Sequence, residues 1–361
     1  MKKEEIHNFD FSLFFITLVL VIIGMLMVFS SSVIMADLRW KSPYLFVTKQ
    51  FIWTSLGLVG MMIAANVKYS YLQKMAKPLM FISLALLVLV LLIGTVKGGA
   101  KRWLTFGFIS FQPSELAKLA LVGALADYLD RKKSRLKEWK GLWPSYLIIG
   151  AFCILIALEP DLGTPILLTV VGLNLLFIGG ARLWHIVLSG LSLVPFVILE
   201  ILRKPYRIYR MKTFFKSWYD IDSGSYQLTQ SILALGSGGF FGKGLGQSQL
   251  KMMYLPEAHT DFIFPILGEE LGFLGAMFVI SLFVLFAWRG FKIARNARDL
   301  FGSYLALGIT FIIVFQAAIN LGVASGVLPT KGLPLPFVSF GGSSLMINLI
   351  SVGVLLNISR K

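Results

Sequence analysis

Cysteine is nearly absent. Cys153 is the only one in 361 residues, which excludes an intramolecular disulfide and leaves it as a small residue in an apolar run. Charge is scarce as well: 14% of residues are charged, where an ordinary soluble domain carries about 25%. Histidine occurs only as His7, His185 and His259, with no His-x-x-x-His pair and no Cys-x-x-Cys, so no zinc site of familiar spacing is present. A Ser-His-Asp triad finds no support, since the histidines lie in unrelated segments. No Gly-Lys-Ser/Thr follows the one glycine-rich run, which argues against a nucleotide P-loop.

What remains is apolar. Hydrophobic residues make up 57% of the chain and the mean hydropathy is +0.78, the composition of a polytopic membrane protein. The start is hydrophilic, and the first apolar run, Phe11 to about Met35, is too long for a signal-peptide core, so it is expected as a retained first span. The net charge of +16 is scattered between apolar runs, as positive loops flanking spans would scatter it, and does not indicate nucleic-acid binding.

Charge-free intervals outline spans at 11–36, 51–67, 78–96, 141–158, 162–181, 271–288, 300–330 and 332–359. Two more contain charge: 111–128, with Glu115 and Lys118, and 183–202, with His185. About 20 apolar residues cross a bilayer as helix. The expected fold is therefore an all-α polytopic membrane domain of ten helices over residues 1–361. The basic loops Asp130–Lys140 and Arg289–Arg298 are expected on the cytoplasmic side, with both termini inside beside Lys2, Lys3, Arg360 and Lys361. That places Glu159-Pro-Asp161 in a tight outer turn and residues 203–260 in one long extracytoplasmic loop between helices 7 and 8.

The long loop carries eight basic residues: Arg203, Lys204, Arg207, Arg210, Lys212, Lys216, Lys243 and Lys251. Such a surface suits anionic lipid headgroups. Within it, Tyr226–Leu235 has apolar residues at helical spacing and is expected on the membrane surface, with Gln227 and Gln230 on it. Gly236-Ser-Gly-Gly-Phe-Phe-Gly-Lys-Gly-Leu-Gly246 follows, read as a flexible cover or a close backbone approach to a large ligand.

Candidate chemistry clusters at the outer ends of the spans. Leu255-Pro-Glu-Ala-His-Thr-Asp261 puts Glu257, His259 and Asp261 at the threshold of an apolar run, where a carboxylate is costly and functional by default. Glu115 and Lys118, spaced i,i+3, share a helix face and are expected to pair; the pair serves helix packing or ligand contact equally well. Pro113 fits the first turn of that helix. Lys97, Lys101 and Arg102 add three outer cations. Glu159 and Asp161 could bind a divalent cation, although N-capping explains Asp161 better. Lys331 is a lone charge in the Pro/Gly-rich segment Gly326–Ser344, which also holds Ser343; it is a ligand candidate or an interfacial anchor.

Several of these stretches together resemble the SEDS family, the RodA/FtsW peptidoglycan glycosyltransferases. Their carriers are Gly-Ala-Lys-Arg-Trp103, Phe-Gln-Pro-Ser-Glu-Leu-Ala-Lys118, Glu-Pro-Asp-Leu-Gly-Thr164, Tyr226-Gln-x-x-Gln-Ser231 with the glycine run, Leu-Pro-Glu-Ala-His-Thr-Asp-Phe-Ile-Phe264 and Pro-Leu-Pro-Phe-Val-Ser-Phe-Gly-Gly-Ser-Ser344. Glu-Ala-His-Thr-Asp and Leu-Pro-Thr-Lys-Gly look more like the division branch than the elongation branch. Phe340 stands where Tyr is common, and Pro265 where Ala is usual.

The resemblance implies polymerisation of lipid II into glycan strands in the bacterial cytoplasmic membrane, with release of polyprenyl pyrophosphate and the active site facing outward. It implies Asp261 as the essential carboxylate, with substrate-binding candidates Arg102, Lys118, Glu115, His259, Glu257, Lys331, Ser343, Gln227 and Gln230. The implied partners are a class B penicillin-binding protein transpeptidase and other divisome or elongasome membrane proteins. Mg2+ or Mn2+ is the candidate ion, and no organic cofactor is expected. A lipid II flippase would be expected to show polar residues through the bilayer depth, and a pure scaffold would not need Asp261 beside a cationic loop.

Overall fold

The computed structural model describes residues 9–97, 99–107, 109–217, 219, 225–248 and 259–360. A long helix occupies each expected interval: α1 (Phe11–Trp40), α2 (Leu45–Asn66), α3 (Ser70–Ile93), α4 (Pro113–Lys132), α5 (Trp139–Leu158), α6 (Gly163–Gly179) and α7 (Leu183–Leu202). After the long loop come α10 (Ile263–Arg295), α11 (Leu300–Ala324) and α12 (Gly342–Ser359). The loop itself holds two short helices, α8 (Pro205–Lys216) and the expected α9 (Tyr226–Ser237).

Local signals set these ends. Asp10 accepts from the Leu13 amide at 3.0 Å and starts α1, Asp299 accepts from the Gly302 amide at 2.6 Å and starts α11, and Pro113 sits in the first turn of α4. α8 was not expected from apolar spacing, because its basic side chains mask the pattern; Pro205 in the first turn nucleates it.

Two departures bear on the site. Residues around Lys97–Trp103, expected as a loop in an all-α fold, form a small antiparallel meander of β1 (Thr95–Lys97), β2 (Ala100–Phe106) and β3 (Ile109–Phe111), with Leu104 opposite Phe111. Thr95, Val96, Trp103, Thr105, Phe106 and Ile109 are strand formers, and reading the segment for its cations hid that pattern. Second, α10 starts at Ile263 rather than 271, so it includes Glu269 and Glu270, and its helical backbone is broken at Gly272.

Eight of the described helices are long and apolar enough to cross a membrane, and large apolar side chains face outward along α1, α2, α3, α7 and α10. Such a belt is a liability in water and a requirement in lipid. The chain is a multi-pass membrane protein. α4, α11 and α12 are the most enclosed helices, whereas on α7 only His185 is buried.

One end of the bundle is pinned by polar contacts among the termini and the basic turns. Arg289 reaches Ser12 at 2.5 Å and Asp10 at 3.7 Å, Tyr69 donates to Asp299 at 2.9 Å, and Gln73 donates to Asp130 at 2.9 Å. The opposite end carries the sheet, α8, α9 and the 325–341 loop.

Candidate active site

Four chain segments meet at that opposite end: β2, the α5–α6 turn, the loop between α11 and α12, and the entry to α10. Arg102 on β2 donates to the main-chain oxygens of Glu159 at 3.0 Å and Pro160 at 2.5 Å, so its guanidinium fixes the turn rather than standing free. Asp161 accepts from the amides of Gly163 at 2.9 Å and Thr164 at 3.3 Å and from the Thr164 hydroxyl at 2.8 Å. That is the capping role its sequence position favoured.

Glu159 is different. It is 1% exposed, and neither carboxylate oxygen has a hydrogen-bond partner among the described residues. Burial, then the neighbouring Asp161, pushes its pKa up to about 8 against the opposing pull of Arg102. Among the described residues no group of three or more His, Cys, Asp or Glu is placed to hold a metal. With Asp161 committed to its cap, the turn does not form a protein cage for Mg2+ or Mn2+.

The α11–α12 loop lies between this turn and Asp261. A β-carbon on Gly163 would touch the Leu333 side chain at 3.0 Å, and one on Gly332 would stand 2.9 Å from the Asp261 carboxylate. Lys331 sits in the same loop within electrostatic reach of Asp161, and burial lowers its pKa. Asp261 is partly exposed just ahead of α10. His259 is buried, packs its ring on Phe46 at 4.6 Å and Phe340 at 5.6 Å, and accepts the Phe340 amide on its main-chain oxygen at 2.9 Å. It anchors the segment to the loop before α12.

Two uncharged residues missed in the sequence tie these parts together. Asn320 donates through its amide nitrogen to the main-chain oxygens of Asp261 at 2.9 Å and Leu333 at 2.8 Å. One turn earlier Gln316 donates to the Pro334 oxygen at 2.8 Å and accepts from Lys118 at 2.7 Å. Both amides lie on one face of an otherwise apolar helix, and that i,i+4 placement was the available signal.

Glu115 and Lys118 pair at 2.8 Å, both nearly fully buried, as their spacing predicted. Beside them is a cavity of about 10 Å³ lined also by Asn348 and Ser351, room for one water. Ser343 bridges β3 and α4, donating to the Ser110 oxygen at 3.1 Å and accepting the Gln112 amide at 3.1 Å. Gln227 and Gln230 are half-buried on α9, which Ser231 joins to the Ala324 oxygen at 2.6 Å. Glu257 lies outside the described residues.

The glycine run makes a close backbone approach to α10. The Lys243 and Gly244 amides donate to the Glu269 and Glu270 oxygens, both at 3.0 Å.

The chain is similar to known proteins over nearly its whole length. A protein of Geobacter sp. (strain M18) named probable peptidoglycan glycosyltransferase FtsW is 40% identical, over 99% of this chain and 98% of its own. Stage V sporulation protein E of Bacillus subtilis (strain 168) is 42% identical over 97% of each chain. Among solved structures, a chain from a study of polymerisation and crosslinking by a peptidoglycan synthase complex superposes with a TM-score of 0.80 at 28% identity, covering 98% of both chains. The rod shape determining protein RodA of Thermus thermophilus superposes with a TM-score of 0.73 at 28% identity, covering 98% of this chain and 97% of that one. The family model of the FtsW, RodA and SpoVE cell cycle proteins matches residues 11–361, and the chain belongs to that family.

Proposed function

We propose that the chain is a peptidoglycan glycosyltransferase that polymerises lipid II, with Asp261 as general base. The observation that carries this is the fixed, partly exposed position of Asp261 against the Lys331–Leu333 loop, which in turn packs on the turn held by Arg102. The family membership and the names of its full-length relatives support the same activity.

The acceptor sugar's 4-hydroxyl attacks the anomeric carbon of the donor. Its proton passes to Asp261, the new glycosidic C–O bond forms, and the bond from the anomeric carbon to the pyrophosphate oxygen breaks, its electron pair leaving with polyprenyl pyrophosphate. A single displacement on an α-linked donor gives a β-linked product. A positioned base of this kind contributes about 10²–10⁴-fold. Pyrophosphate is already a good leaving group, so one carboxylate suffices, unlike the paired carboxylates of glycosidases. Lys331 and the outer basic residues of α8 supply positive potential for the departing pyrophosphate. A Mg2+ or Mn2+ ion would enter with the pyrophosphate, because magnesium commonly takes one or two carboxylates together with substrate phosphates.

In this reading all ten long helices cross the bacterial cytoplasmic membrane, both termini are inside, and the end carrying Asp261 faces out. The basic turns at the opposite end support that orientation. A class B penicillin-binding protein is the proposed partner, as the peptidoglycan synthase complex among the structural neighbours suggests. The flippase alternative is disfavoured by the spans themselves, whose charge-free intervals lack the charged residues through the bilayer depth that a translocation path would carry.

The test is glycan synthesis from purified lipid II by wild type and Asp261→Asn, each with and without the transpeptidase. Polymer from wild type and none from the variant supports the reading. Polymer from both would remove the base from Asp261, and polymer from neither would favour transport or scaffolding.

A further inference from the structure

Helix α10 is broken and repaired by another part of the chain. In an unbroken helix the Phe273 and Leu274 amides would donate to the Glu269 and Glu270 oxygens. Here Phe273 donates to Gly239 at 2.9 Å and Leu274 to Phe240 at 3.3 Å, while Glu269 and Glu270 accept from Lys243 and Gly244. The glycine run is thus spliced into the ladder, with all four backbone groups satisfied, as an apolar surrounding demands. The splice needs Gly272, at φ +69°, and Gly242, at φ +81°, where a β-carbon would strike the Glu270 main chain.

Side chains lock it. The Glu269 carboxylate, 2% exposed, accepts from Lys243 at 2.7 Å and from the Ser248 hydroxyl at 2.5 Å. Glu270, 1% exposed, accepts from Ser30 of α1 at 2.6 Å. Two buried carboxylates on an apolar helix are costly unless satisfied, and neither takes part in the chemistry above. Between the lock and Asp261 run only two helical turns of buried residues, Ile263–Glu270.

We propose that Lys243 and Glu269 are positioning residues for Asp261. Their ion pair holds the glycine splice closed, the splice sets the bend at Gly272, and the bend aims the Ile263–Glu270 segment so that Asp261 meets Asn320 and the Gly332 loop. This rests on Asp261 being the base. The glycine run is then a structural insert, and its lysine acts through the fold rather than on the substrate.

The experiment uses the full-length protein in detergent. Lys243→Met, Glu269→Gln, the double variant and Lys243→Arg are compared for lipid II kinetics and for hydrogen exchange of segments 259–264 and 268–274. Each single variant is expected to lower kcat about ten- to a hundredfold, the scale of a small misplacement of a reacting group, with KM little changed. The double variant falls no further than the worse single, because the two act as one unit, and Lys243→Arg retains most activity. Exchange should rise in both segments together. An unchanged kcat, a raised KM at constant kcat, or faster exchange confined to 268–274 would overturn the proposal. Lys243 is about one-third exposed, so Lys243→Met carries the test should Glu269→Gln fail to fold. If wild type makes no glycan, the catalytic reading fails, and the exchange comparison alone decides whether the splice controls the Asp261 segment.

Discussion

Asn320 holds Asp261 by its backbone rather than by its carboxylate, donating at 2.9 Å to the Asp261 main-chain oxygen and at 2.8 Å to that of Leu333. One side chain thereby fixes the aspartate's main chain relative to the loop that faces it. Asn320→Leu orphans two carbonyls at this site, a loss of about 1–3 kcal/mol for each that stays dry. The expected result is a lower Tm in detergent and a kcat reduced at least tenfold. An unchanged kcat would show that the bond does not orient Asp261.

The buried pair of Glu115 and Lys118 gives a stability prediction. Lys118→Met leaves a carboxylate uncompensated in an apolar interior, a loss of about 3–5 kcal/mol. Glu115→Gln/Lys118→Met removes both charges and should recover much of it. Thermal unfolding of the three proteins checks this; a double variant less stable than the single would contradict it.

Glu159 gives a pH dependence. Its pKa stands near 8 in the fold against an ordinary 4.5. Between those values the folded protein keeps a proton that the unfolded chain has released, so stability falls as pH rises through this window and levels above it. Glu159→Gln should flatten the contribution. Tm measured from pH 5 to pH 9 for both proteins tests it, and parallel curves would refute it.

Arg102→Ala removes both hydrogen bonds to the Glu159–Pro160 carbonyls. The turn, and with it the packing of Gly163 on Leu333, should loosen, lowering kcat roughly tenfold. Arg102→Lys should not fully restore it, because one ammonium does not reproduce the planar guanidinium fork. Full activity in the lysine variant would point to simple charge instead.

The long helices were legible because apolar runs are written in composition, eight of them among the described residues being long and apolar enough to cross a membrane, and the pairing of Glu115 with Lys118 because i,i+3 spacing is local. The capping role of Asp161 was legible for the same reason. Asn320 and Gln316 were not: a scan for charge passes over amides, and their partners are carbonyls in another segment. The splice of the glycine run into α10 was hidden further still. Its glycines announced a close approach, but only the fold shows that the surface approached is the chain's own helix at Gly272. The small sheet was obscured by attention to its lysines and arginine.

The most direct test of the account is glycan polymerisation from lipid II by Asp261→Asn, with its Tm measured alongside and the transpeptidase present in both reactions. The account predicts a folded variant with wild-type Tm and no polymer, while wild type makes long glycan strands. Polymer from the folded variant at the wild-type rate would contradict the assignment of Asp261 as the base.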